Sequence, residues 1–107
     1  MYSIGIATTL RPGAYPKYKE YHDNLWPDIA KGMADNNVSM AIFRLGNRLI
    51  VHAVAPTEVD WTRSREDPKL DEWHEVMKEM LETDANGGLA FELLEPAFEF
   101  GMFKQDG

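Results

Sequence analysis

The stretch VSMAIFRLGNRLIVHAVA, residues 38–55, decides the fold. Two apolar runs flank Gly46-Asn47. Two central residues that include glycine, set between β-branched and aromatic positions, predict a tight hairpin. The strands are then Val38 to Leu45 and Arg48 to Ala55, with Leu45 opposite Arg48 and Phe43 opposite Ile50. Side chains alternate across a strand. One face carries Val38, Met40, Ile42, Leu49, Val51 and Ala53, and the other carries Ser39, Ala41, Phe43, Ile50, His52 and Val54. Both faces are largely apolar, so both are expected to be covered. One helical layer covers one face. The other is expected to meet a second sheet, which in so short a chain points to a partner subunit and a homodimer.

Outward from the hairpin, Tyr2 to Thr9 reads as a first strand, closed by the turn at Arg11-Pro12-Gly13. From Ala14 to about Asn36 the pattern becomes helical, with Tyr18, His22, Leu25, Ile29 and Met33 on one face. Pro27 interrupts that helix and predicts a kink near residues 23–27. After the hairpin, Thr57 and Asp60 have capping-box spacing for a short helix to about Ser64. Asp67-Pro68 reads as an N-cap and first helical residue of a longer helix to about Glu82. Leu70, Trp73, His74, Met77 and Leu81 form its apolar stripe. Leu89 to Phe103 contains a last strand, with Pro96 suggesting an edge or bulge. The order β-α-β-β-α-β predicts an α+β, ferredoxin-like fold. Neither linker nor repeat interrupts it, so residues 1–107 are expected to form a single domain.

The totals narrow the function. The 107 residues include 18 acidic and 11 basic ones, a formal net charge of -7. That balance argues against nucleic acid and anionic membranes, which need a positive footprint. It fits a soluble protein with a neutral or small ligand. Zero cysteines remove disulfides and thiolate chemistry and are compatible with a reducing cytoplasm. The start MYSIGIATTLRPG lacks a basic, then apolar, leader pattern, and no run approaches the ~20 apolar residues of a membrane span. A cytoplasmic location is expected.

Tyr18 and His22 are the first candidates for chemistry. A spacing of four stacks them on one helix face. Histidine moves protons near neutral pH, although two amphipathic residues satisfied within a core would look the same. Trp73 is either core packing or a flat platform for a ring-shaped ligand. His74 is either a helix-surface residue or a second pocket group. Trp26 and Trp61 read as mainly structural, and Met40 and Met77 as fillers of a core or pocket wall. The histidines at 22, 52 and 74 lack HExxH or HxH spacing, and alternation sends His52 to the face away from the helices. No metal site is therefore expected, and no P-loop, GxGxxG or GxSxG offers a cofactor cradle.

Tyr18-xxx-His22-xxx-Trp26-Pro27-Asp28, Ala41-Ile42-Phe43 and Trp73-xxx-Met77 resemble the L-rhamnose mutarotase family. The resemblance runs from the first strand to Phe98. It implies a dimeric ferredoxin-like α+β barrel that interconverts α and β anomers of a deoxy sugar without cofactor or metal. It also implies His22 as proton donor, with Tyr18 and Trp73 contacting the sugar. Two positions depart from the pattern. His74 stands where the family has a second tryptophan, and Met40 where it has a sugar-contacting tyrosine. The expected substrate is a monosaccharide, a 6-deoxyhexose of L-rhamnose or L-fucose type. Two other readings stand beside it: a cofactor-free monooxygenase or decarboxylase of the dimeric α+β barrel type, which shares the fold and size, and a binding or regulatory domain that holds a small ligand without catalysis.

Overall fold

The computed structural model describes residues 1–104. Its elements are β1 (Tyr2–Thr9), α1 (Tyr15–Asp23), α2 (Pro27–Asp35), β2 (Ser39–Leu45), β3 (Arg48–Ala55), α3 (Glu58–Ser64), α4 (Lys69–Met77) and β4 (Glu92–Leu93). The four strands form one antiparallel sheet in the order β2-β3-β1-β4. This is the ferredoxin-like arrangement. The hairpin has the expected register, with Leu45 opposite Arg48 and Phe43 opposite Ile50. Gly46 takes φ +59° at the first central turn position, which glycine allows at no steric cost.

The core lies between one sheet face and the helices. Leu10 and Leu49 are fully buried against Trp73, Met77, Met80 and Leu81. The expected long first helix is two helices rather than one kinked helix. Trp26 is extended (φ -59°, ψ 134°) and Pro27 begins α2. A residue before proline is pushed out of the α region, and proline is well suited to a first helical turn, so α2 starts at Pro27 and the break covers residues 24–26. Gly32 lets α2 approach α3 closely, since a Cβ there would stand 3.1 Å from the Ser64 carbonyl oxygen.

The α3 cap is the reciprocal one expected. The Asp60 amide donates to Thr57 Oγ1, and the Thr57 amide donates to the Asp60 carboxylate at 3.1 Å. Ahead of α4, the Lys69 amide donates to Asp67 Oδ1 at 2.8 Å. That helix ends at Met77, short of the expected Glu82. The chain turns because its next backbone groups are claimed by the sheet. The Arg11 amide donates to the Met80 carbonyl, and the Glu82 amide to the Thr9 carbonyl. The last strand is also shorter than expected. Glu92 and Leu93 form its ladder with β1, the Leu94 amide adds a bond to the Gly5 carbonyl, and residues 94–100 are irregular. Pro96 has no amide to offer a ladder.

The far sheet face is open. Phe43 is 62% exposed and Leu45 79%. Phe98 and Phe100, from the C-terminal segment, line a groove with Ile50 and His52 on that side.

Candidate functional site

Beneath the helices lies a cavity of about 130 Å³. An engineered protein cavity of ~150 Å³ holds benzene, so the space is on the scale of a six-membered ring. Ile6, Thr8, Met40, Ile42 and Val51 form its floor, from the inward face of the sheet. Tyr18 and His22 of α1 stand over one side, and Trp73 and His74 of α4 over another. The five sequence-derived candidates, Tyr18, His22, Met40, Trp73 and His74, therefore line one space. Local geometry explains most of this convergence. Tyr18 and His22 are one turn apart on α1, with ring centroids 4.1 Å apart. Met40 points to the cavity because it shares the face of Ile42.

Trp73 is the hub. Its ring meets His22 at 5.1 Å, Trp26 at 5.2 Å and Tyr21 at 6.1 Å, each near perpendicular. Edge-to-face pairs of this kind contribute ~0.5–1.5 kcal/mol each beyond burial. They hold the α1–α2 break against α4, so Trp26 acts by packing on Trp73. Trp61 is different: it lines the cavity. Thr8, Arg65 and Phe91 also line it and were not singled out from sequence. Arg65 follows the last turn of α3, where no periodicity marks it. Phe91 had been assigned only to a strand.

The electrostatics of His22 follow from one bond. Its Nδ1 lies 2.9 Å from the Tyr18 carbonyl oxygen. A carbonyl only accepts, so Nδ1 carries the hydrogen and donates. The neutral ring then keeps a lone pair on Nε2. Among the described residues no sealed-off side-chain nitrogen or oxygen lacks a partner, and neither His22 Nε2 nor the Tyr18 hydroxyl has a protein partner. Both atoms therefore reach space that water can enter. Burial pulls the His22 pKa below its ordinary 6.5, against the opposing effect of the Tyr18 carbonyl bond. Burial pushes the Tyr18 phenol up to about 12, so it stays protonated. His74 is also lowered, first by burial and then by the positive charge of nearby Arg65. His52 lies on the far face, with Nε2 3.0 Å from Ser3 Oγ. It does not join the other two histidines.

The arrangement offers an imidazole nitrogen, a phenol, a second imidazole and a guanidinium around a mostly apolar hollow. Such a set can orient hydroxyl groups and move one proton.

A search of curated proteins finds no significant match. Solved structures do match. The L-rhamnose mutarotase of Formosa agariphila superposes with TM-score 0.76 at 22% identity, covering 92% of this chain and 98% of that one. Rv0793 of Mycobacterium tuberculosis gives 0.64 at 17%, covering 92% and 97%. A Nitrosomonas europaea protein described as an antibiotic-biosynthesis monooxygenase gives 0.64 at 10%, covering 92% and 100%. At these identities the likeness shows the shared fold. The family model for L-rhamnose mutarotase matches residues 3–100. The chain belongs to the L-rhamnose mutarotase family, whose membership implies an isomerase acting on sugars.

Proposed function

We propose that the protein is a mutarotase that interconverts the α and β anomers of a 6-deoxyhexose, of L-rhamnose or L-fucose type, with His22 as its acid–base group. One observation supports this reading: His22, with Nδ1 held by the Tyr18 carbonyl and no protein partner on Nε2, lines one cavity together with Tyr18, Trp73 and His74. Family membership supplies the reaction class.

Mutarotation opens a cyclic hemiacetal and recloses it on the other carbonyl face. His22 Nε2 takes the proton of the anomeric hydroxyl. The C1–O5 bond breaks, a C1 carbonyl forms, and the imidazolium returns its proton to O5. Rotation about C1–C2 presents the other face, and the same steps run in reverse. Protons and electrons balance, and no covalent enzyme intermediate is needed. The Tyr18 hydroxyl, protonated at all working pH values, orients a sugar hydroxyl. Trp73 packs against the C–H face of the ring, and Met40 and His74 complete the wall. General acid–base help of this kind is worth ~10²–10⁴ in rate.

The test is exchange NMR of anomers across L-rhamnose, L-fucose and their relatives. Acceleration over buffer is expected. His22→Ala is expected to lose ~10²–10⁴ of it. A variant with the full rate would remove His22 from the mechanism. Incubation with phenolic substrates tests the cofactor-free monooxygenase alternative, which the apolar lining and the shared fold of the Nitrosomonas europaea protein favour. That reading requires turnover of phenols without anomer exchange.

We further propose a homodimer through the open sheet face. The exposure of Phe43, Leu45, Phe98 and Phe100 supports it. Patches of this kind on a chain this small usually mark an interface. A cysteine-free metabolic enzyme also fits a cytoplasmic location.

A further inference from the structure

Arg65 is the one permanently charged side chain among the residues lining the cavity, and a neutral deoxy sugar leaves it unused. It lines the hollow beside Trp61 and His74. Its guanidinium carbon lies 5.0 Å from the centre of the Trp61 ring, which holds the fork in place without neutralising it. The chain has 18 acidic residues for 11 basic ones, so carboxylates are plentiful. Lys17, Lys19, Lys31, Arg48, Lys69 and Lys78 each pair with one. Among the described residues no carboxylate and no carbonyl pairs with the Arg65 side chain. Burial alone depresses its pKa, with no compensating anion. A half-buried charge without an internal partner is costly, and proteins normally keep such charges paired.

Solvent reaches part of this charge, and a ligand in the cavity is the further source of a partner on its inner side. The cavity has room for little beyond a single ring. A guanidinium fork matches a planar carboxylate through two parallel hydrogen bonds. We propose that Arg65 selects a monosaccharide bearing a carboxylate, a hexuronate, over the matching neutral deoxy sugar. The inference rests on the mutarotase reading of the same cavity, keeps its reaction and replaces its 6-deoxyhexose by the matching hexuronate. The chemistry at C1 is unchanged. His22 works on the anomeric centre while Arg65 holds the carboxylate.

The experiment is anomer-exchange NMR on matched pairs that differ only at C6: D-galacturonate with D-fucose, and D-glucuronate with 6-deoxy-D-glucose. L-Rhamnose, L-fucose and glucose 6-phosphate complete the panel, each corrected for its rate in buffer. We expect kcat/KM for each uronate to exceed that of its partner by ~10–100-fold, the usual worth of a charge-assisted pair. Arg65→Met is expected to collapse that ratio towards one, and Arg65→Lys to retain part of it. The wild-type ratio is also expected to shrink as salt rises, a readout that needs no variant. Deoxy sugars turned over as fast as their uronates, or a ratio unchanged in Arg65→Met, would overturn the inference and leave the mutarotase reading intact. A preference for glucose 6-phosphate over both uronates would overturn the carboxylate assignment. No acceleration of any sugar would overturn both readings together.

Discussion

His22 shows how much one hydrogen bond decides. With Nδ1 committed to the Tyr18 carbonyl, only Nε2 is free to exchange a proton. Its lowered pKa keeps Nε2 unprotonated at neutral pH, which is the form that accepts the anomeric proton. The kcat/KM profile is therefore expected to be flat at neutral pH and to fall on the acid side, with its midpoint below 6.5. A midpoint above 6.5 would contradict the assignment. Tyr18, at about 12, contributes no alkaline limb below pH 10. Tyr18→Phe keeps the ring and removes the hydroxyl, so a loss of about 3–10-fold in kcat/KM is expected from one hydrogen bond. This pair was legible because a spacing of four fixes neighbours on any helix. Arg65 was not, because its place depends on how the turn after α3 meets α4.

At the scale of elements, Pro27 matters by ending one helix and starting another. The break turns Trp26 onto Trp73, and the cluster seats His22 beside the cavity. The sequence predicts a kink, whereas the helix breaks, because proline's effect on the preceding residue outweighs its own lost hydrogen bond. The helices further along divide the same way. The Thr57–Asp60 cap was legible, being a contact between residues three apart. Thr57→Ala is expected to cost ~1 kcal/mol and lower Tm by about 4–8 °C in thermal denaturation. The end of α4 was not legible, because the groups that capture residues 80–82 lie at the end of β1.

At the scale of the molecule, the two half-buried histidines, His22 and His74, couple protonation to folding. Both have folded pKa values below 6.5. Below that pH the unfolded chain binds more protons than the folded one, so stability rises with pH through this window and falls on acidification. Denaturant unfolding from pH 7 downward is expected to show loss beginning near 6.5. Replacing both histidines with glutamine is expected to delay that onset to the carboxylate range. The open sheet face makes a separate prediction. Sedimentation equilibrium is expected to give a dimer, and Phe43→Glu to shift it towards monomer, since a charge would be buried without a partner.

Legible from the chain alone were the hairpin register, the ferredoxin-like order, the α3 cap and the Tyr18–His22 pair. Each follows from alternation, spacing or turn chemistry between residues near in the chain, and such rules hold before any distant contact forms. The folded arrangement sets where α4 stops, how short β4 is, and that Trp61, Arg65 and Phe91 line the same hollow as His22. Those outcomes depend on which remote backbone groups compete for a hydrogen bond and which surfaces close over the sheet. Local periodicity carries no record of either.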